Sequence, residues 1–505
     1  MDWTMTAYTN TSNLSGPGTV IPALQALRTD FNNGVMTKSQ FFLTAAAAYY
    51  ASGKPLRAKA MLDTIEPGLL TTDQILRRTE LLDKCNLPKY SAAPTCSLNM
   101  IVKNEEARIG DALESIDSIV DEIVICDTGS ADRTVDVAEQ YGVIMVFDRW
   151  RNDFSRARNK AIDASTGDWI FWMDADDRLE KRSAARLRKI WQSGTTCAAA
   201  FCIVNEREQT SPVEFLQVRL FPRMQSVRFE QCIHEQVMYS IARENIPFAA
   251  YPNIRIRHTG YTTQAAQKKK CLRNKPMIRA ELRKSPNDPV LLCNLGDCLL
   301  VLRQYDEALK AYGAVIENRA VIRKNPDVYF QAHIHCANIL LHRNDMDKAE
   351  KMLRHCIDLD DTRVEAHFAL GHLYYAKNIF HKAAACFMES ARHTPPLRMT
   401  AVDTTKVRLE SIYYLVDILL RWEELSAAEN LLLPAITINP LVPQYHMLMG
   451  KVLTRQNRLQ EAARYYTASI SLSPENNKAS YHGMAEIYQI IGDGRTARQY
   501  RKMAS

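Results

Sequence analysis

From residue 97 onward, apolar and polar positions predict strands and helices in turn. "SLNMIV" (97–102), "DEIVICD" (121–127), "VIMVFD" (143–148) and "DWIFWMDADD" (168–177) each hold a short apolar run bounded by polar residues. Such runs read as strands buried on both faces. Between them, "EEARIGDALESIDSI" (105–119), "RTVDVAEQY" (133–141) and "FSRARNKAIDAS" (154–165) carry helical spacing. Strand–helix alternation of this length predicts a parallel, three-layer α/β sheet. Right-handed crossovers then bring every strand's carboxyl end to one edge. Beyond Lys181, "AAAFCIV" (198–204) and "VEFLQVRLFP" (213–222) predict an antiparallel extension of that sheet.

The flanks differ from this pattern. Residues 1–34 are rich in Thr, Asn, Ser and Gly and are expected to form a flexible lead-in. Residues 35–95 read as helices, broken at Gly53-Lys54-Pro55 and Glu66-Pro67-Gly68, and then a linker. The α/β domain is placed at 96–265, and the chain from 266 to 505 reads as helical throughout. In that last part Ala308, Ala349, Ala383, Ala428, Ala462 and Ala497 recur at intervals of 41, 34, 45, 34 and 35 residues. Twelve positions before each stands Gly296, Ala337, Gly371, Val416, Gly450 or Ala485. Small side chains let the two helices of a hairpin approach closely. A period near 34 with Pro-led repeat ends resembles the tetratricopeptide repeat, an α-solenoid. Ala46 and Ala58 keep the same offset, which predicts one such hairpin ahead of the α/β domain.

Candidate chemistry gathers at the carboxyl edge of the sheet, where open α/β folds place their ligands. Carboxylates at the mouth of a buried strand are costly unless a cation, solvent or a hydrogen-bond partner compensates them. Asp174 and Asp176 alternate along the backbone, and a turn at Ala175 would aim both at one cation with hard oxygen ligands. "MIVKNEE" (100–106) ends the first strand and brings Asn104 and Glu106 to the same edge. "CDTGSADRT" (126–134) ends the second, where Asp127 is a candidate acceptor for a nucleobase imide or a ribose. "DFSRARNKAI" (153–162) supplies Arg158, whose planar guanidinium suits a phosphate or the acidic loop.

The ensemble "SLNMIVKNEEARI", "CDTGSADRTVDVA", "DFSRARNKAI" and "FWMDADD" resembles the nucleotide-sugar-dependent glycosyltransferases of family 2, which have the GT-A fold. Joined to tetratricopeptide repeats, it resembles the subgroup of bacteriocin S-glycosyltransferases of the sublancin type. The resemblance implies a UDP-linked sugar donor held by Asn104, Glu106, Asp127, Arg158, Asp174 and Asp176. It also implies a divalent cation, Mn²⁺ or Mg²⁺, on Asp176, Asp174 and a later histidine. Many members carry two acids at the start of the second motif, and here the second position is Thr128. "FEQCIHEQV" (229–237) and "IRIRHTGY" (254–261) fit the late part of such a site. Glu235 is then expected to be the general base, His258 the histidine at the metal, and His234 a substitute for either. Inversion requires a base on the face opposite the departing diphosphate.

Composition narrows partners. A net charge of +7 distributed over 505 residues does not imply nucleic-acid binding. Twelve cysteines without a C-x-x-C pair, several inside apolar patterns, predict buried free thiols and a cytoplasmic setting. No apolar stretch is long enough to span a bilayer, and no signal segment is evident at the N-terminus. The repeats are expected to recruit a peptide or protein acceptor, to mediate self-association, or both. The alternatives are a glycan or lipid-linked acceptor, and a scaffold that keeps an inactive transferase domain.

Overall fold

A computed structural model describes residues 17–66, 68, 70–86, 93–194, 196–206, 212–260, 264–392, 397–400, 402–475 and 477–504. They divide into two compact units. The first runs to Glu307, and the second begins at Ala308, apart from a short segment from Leu397 that groups with the first.

The first unit opens with helices α1 (Pro17–Asn32), α2 (Lys38–Ala51), α3 (Pro55–Asp63) and α4 (Thr72–Asn86). The lead-in reading is therefore corrected from residue 17, while residues 1–16 lie outside the described part. The reason is local: Leu24 and Leu27, three apart on one helical face, are buried against Phe41, Phe42 and Tyr49. Polar groups then dock these helices on the α/β layer. Arg28 and Arg57, both buried, pair with Asp117, Arg28 at 2.8 Å. Tyr49 Oη donates to the same carboxylate at 3.0 Å, and Lys54 Nζ donates to the carbonyls of Asp117 and Val120. Two cationic partners hold the Asp117 carboxyl well below the usual range despite its burial.

The α/β layer follows as β1 (Cys96–Val102), α5 (Glu106–Ile116), β2 (Glu122–Asp127), α6 (Thr134–Glu139), β3 (Ile144–Phe147), α7 (Phe154–Ala164) and β4 (Trp169–Trp172). It continues with β5 (Asp177–Leu179), α8 (Lys181–Gln192), β6 (Ala198–Asn205), β7 (Val213–Pro222), α9 (Met238–Arg243) and β8 (Phe248–His258). All eight strands form one sheet in the order β3-β2-β1-β4-β7-β6-β8-β5. β1 to β4 are parallel, as the alternation predicts, and β7 pairs antiparallel with both β4 and β6. β8 returns parallel to β6, and β5 lies antiparallel to β8 at the far edge.

That last pairing shapes the site. Only four residues separate Trp172 at the end of β4 from Asp177 at the start of β5. Five backbone steps reach about 17 Å at most, whereas four strand spacings on a flat sheet need about 19 Å. The sheet must curl, so that its β5 edge comes back beside the carboxyl end of β4.

Two more helices belong to this unit: α10 (Gln264–Lys284) and α11 (Pro289–Val301). α11 carries Gly296 of the first small-residue pair, and Met277, Ile278, Leu291 and Cys298 form one apolar cluster with Ile233, against which Trp150 and Phe154 pack.

In the second unit, helices pair as the small-residue pattern predicts. A Cβ on Gly371 would stand 2.7 Å from the Phe387 ring, and one on Gly450 would stand 2.7 Å from the Tyr466 ring. Each ring lies four residues after the repeat alanine, Ala383 or Ala462, on the facing helix. Among the described residues no helix is long and apolar enough to cross a membrane.

Candidate active site

The curl of the sheet sets "DADD" against the end of β8. Asp177 and His258 are cross-strand partners, and Asp177 Oδ1 lies 2.9 Å from His258 Nδ1. A carboxylate can only accept, so Nδ1 carries the proton, and in the neutral ring Nε2 keeps its lone pair. Asp176 Oδ1 is 3.3 Å from the same ring nitrogen. One ligand atom from each of Asp176, Asp177 and His258 falls within 4.8 Å of the other two. Gly260 passes over this group; a Cβ there would stand 2.5 Å from Asp176 Oδ2 and 3.0 Å from His258 Nε2. The bare glycine leaves a space faced by a carboxylate oxygen and an imidazole nitrogen.

Asp177 is fully buried, and both of its oxygens are engaged. Oδ2 accepts from the Asp174 N–H at 2.8 Å and pairs with Arg219 at 2.9 Å. Asp174, expected at the metal, is instead held by Arg158 at 2.9 Å, with Arg219 at 3.9 Å. The two arginines outweigh its desolvation and keep its pKa near 2. Burial raises the pKa of Asp176, and Asp174 and Asp177 raise it further, although His258 opposes them. Burial lowers the pKa of His258, but its hydrogen bond and charge contact with Asp177 leave it raised overall. Desolvation, then Asp176, likewise raises the pKa of Glu105. A divalent cation fits the residues present: one free oxygen donor in Asp176, one free nitrogen in His258, and a surplus of negative charge.

Arg158 was expected to meet a phosphate or the acidic loop, and it meets the loop. Its guanidinium is committed to two carboxylates, Asp174 and, through Nε at 2.7 Å, Oε1 of Glu235. It also lies 4.2 Å from the centre of the Trp172 ring, over which Arg219 sits at 3.8 Å. Arg158 therefore ties the candidate base to the acidic loop. Asp153 caps the start of α7, accepting from the Arg156 N–H, which fixes the turn that delivers Arg158.

His234 departs from expectation. It lies outside the group formed by Asp176, Asp177 and His258. It has a left-handed backbone (φ 53°), and the charges that act on it are those of Asp297, Lys270 and Arg273. Its Nε2 is buried with no hydrogen-bond partner among the described residues. Loop 231–235 is pinched by reciprocal 3.0 Å hydrogen bonds between Glu230 and Gln236.

At the other end of the edge, Asp127 Oδ1 accepts from the N–H groups of Gly129 and Ser130, at 2.7 and 2.9 Å. Its Oδ2 is buried and unpartnered among the described residues. Gly129 has φ 105°, a conformation that only glycine adopts readily. Thr128 turns its hydroxyl back onto the Val102 carbonyl at 3.0 Å. Asn104 and Glu106 brace the two loops: Asn104 Oδ1 accepts from Ala131 N–H at 2.8 Å, and Glu106 Oε2 from Arg133 N–H at 3.1 Å.

Sequence reasoning missed Arg219, Glu105 and the role of Asp177. An arginine inside the apolar run "FLQVRLFP" was a usable signal, because such a charge needs a buried partner. Glu105 carried none.

Residues 97–246 match the family model "Glycosyl transferase family 2", and residues 293–361 and 415–477 match the tetratricopeptide repeat. A TPR repeat-containing protein of Synechococcus elongatus is 32% identical over 266 residues, covering 51% of this chain and 65% of that protein. The SPbeta prophage-derived glycosyltransferase SunS of Bacillus subtilis is 29% identical over 282 residues, covering 54% and 66%. A glycosyltransferase of Rickettsia felis is 36% identical over 94 residues, covering 19% and 33%. The chain thus spans just under two thirds of the length of the first two relatives. Residues 97–246 are a glycosyltransferase family 2 domain, and the same chain carries tetratricopeptide repeats behind it.

Proposed function

We propose that the protein is a cation-dependent, inverting glycosyltransferase that moves a sugar from a nucleoside-diphosphate sugar, UDP-linked, to a peptide or protein acceptor. The observation that supports this reading is an acidic loop with Asp176 against His258 at one end and Asp174 tied through Arg158 to Glu235. Asp176 and His258 would hold the cation, Asp177 orients His258 with Arg219 behind it, and Asp127 offers its spare oxygen to the nucleoside. A cation held there, Mn²⁺ or Mg²⁺, would offset the negative charge that develops on the departing diphosphate. Glu235 takes the proton of the acceptor nucleophile, and Arg158 fixes its carboxylate in place. A thiol acceptor, with a reference pKa of about 8.5, needs less of that base than an alcohol does. The repeats recruit the polypeptide that presents this group.

The test is release of nucleoside diphosphate from a panel of sugar nucleotides, with Mn²⁺ or Mg²⁺ and with a chelator, for the wild type and Asp176→Ala. Release from one donor, lost on chelation and in the variant, is expected. Absence of both release and calorimetric donor binding in the wild type would overturn the reading.

A further inference from the structure

We infer that the acceptor side of this site selects a peptide whose modified residue is flanked by Asp and Glu. The inference rests on the peptide-directed reading above and adds the chemistry of the acceptor to it.

α10 begins with an unbalanced run of cations. Lys268, Lys269, Lys270 and Arg273 are all exposed, and so are Arg149 and Arg151 in the loop before α7. Among the described residues none of these six has a carboxylate within ion-pair distance. In the second half of the same helix Arg279 pairs with Glu307 at 2.6 Å and Lys284 with Glu281 at 2.7 Å, while Lys275, which donates to Gln304, and exposed Arg283 have no carboxylate partner among the described residues. The densest group of unpaired cations is that of the first turns.

Contacts connect this face to the candidate base. Arg273 lies 5.6 Å from the centre of the Phe154 ring, and Trp150 packs edge-on against Phe154 at 4.6 Å. The Phe154 N–H donates to the Cys232 carbonyl at 2.9 Å. Two residues further, the left-handed turn at His234 sends neighbouring side chains in different directions. Glu235 meets Arg158, while His234 turns to the side of Asp297, Lys270 and Arg273. The unpartnered, buried Nε2 of His234 is a second polar group without a match on this side.

Consecutive Cα atoms are about 3.8 Å apart, and an extended peptide advances about 3.3 Å per residue. An acceptor atom presented to Glu235 therefore places residues about two to five positions away over the first turns of α10. Acidic side chains there meet six unpaired cations, which steers binding and sets register. The interleaved acids Asp148, Asp153 and Asp297 favour a short segment of discrete carboxylates over the continuous charge of a nucleic acid. Leu272 alone supplies an exposed apolar group within the run, little for insertion into a membrane.

The experiment uses the full chain and fluorescein-labelled peptides with a central Cys or Ser flanked by Glu, by Gln or by Lys. Anisotropy at low salt should show the Glu-flanked peptide binding about tenfold tighter than the Gln-flanked one, with the difference shrinking at high salt. Lys269→Glu combined with Lys270→Glu should abolish that preference and leave nucleoside diphosphate release unchanged. Equal binding of the three peptides, or a preference that survives the double substitution, would overturn the inference. So would Lys269/Lys270-dependent binding of single-stranded DNA or phosphatidylserine vesicles without any preference among the peptides. Loss of diphosphate release in the wild type would strike the transferase reading alone, because the peptide comparison does not depend on turnover.

Discussion

Asp177 and His258 face each other across the β5–β8 pair, with Asp177 Oδ1 2.9 Å from His258 Nδ1. The buried carboxylate fixes the tautomer of the ring and turns Nε2 toward Asp176 and the space under Gly260. Asp177→Asn keeps the shape but loses the charge that also balances Arg219. Mn²⁺ affinity, read by calorimetry, should fall about 10- to 100-fold, as for other groups that orient a metal-bound histidine. Unchanged affinity would show that the pair does not orient a ligand.

Gly260→Ala tests the space itself. Its Cβ would meet Asp176 Oδ2 at 2.5 Å, nearer than real Cβ contacts come. Diphosphate release should fall by an order of magnitude or more, while stability to urea changes by about 1 kcal/mol or less, because Gly260 lies at a strand exit. Release at the wild-type rate would mean that the passage over the acids has room to spare.

The docking of α1–α3 depends on Asp117. Asp117→Ala leaves the guanidiniums of Arg28 and Arg57 buried without this counter-charge. Urea unfolding should show a loss of about 3–5 kcal/mol. The Asp117 carboxyl titrates below its ordinary value. Its contribution is therefore complete above about pH 4 and is lost as the pH falls through the lowered value.

Lys54 gives the opposite slope. Burial, then the charge of Arg57, lowers its pKa from 10.5 to about 7. Between those values the unfolded chain binds more protons than the folded one, so this group makes stability rise with pH. Comparison with Lys54→Met should isolate a change of up to about 1.4 kcal/mol per pH unit in that window. A flat difference between the two proteins would contradict the shift.

In the repeats, Gly371→Ala sets two effects against each other. Alanine gains about 1 kcal/mol of helix propensity over glycine. The new methyl would stand 2.7 Å from a fully buried Phe387 ring, and overpacking of this kind costs about 1–3 kcal/mol. Sterics should win, giving a net loss in thermal or urea unfolding; a more stable variant would show that the ring can move aside.

What could be read from the chain follows from range of interaction. The parallel strands were legible because each is a local apolar run, and the hairpins because their small residues recur at a fixed offset. Asp176 and His258 were legible as strand-end residues with ligating side chains. The rest was mostly long-range. Arg158 could be read as a partner of the acidic loop, but not as the link from Asp174 to Glu235. His234 and Glu235 are neighbours, and only the left-handed turn between them assigns them to different sides. Helix α1 was hidden because residues 1–34 were read as one segment, in which the Thr-, Asn- and Ser-rich first half masks the apolar second. α10 reads as a helix like those that follow, and its packing partners Ile233 and Phe154 lie far back in the sequence.

The curl of the sheet makes loop length a chemical variable. "DADD" lies on the only short path from β4 to the opposite edge, so its residues are at once side chains and distance. A one-residue insertion between Trp172 and Asp177 would slip β5 in register against β8, and a slip of one exchanges the two faces of a strand. Asp177 would then point away from His258 with every amino acid of the motif still present. A search for this site by composition would find such a variant intact, and a ruler would not.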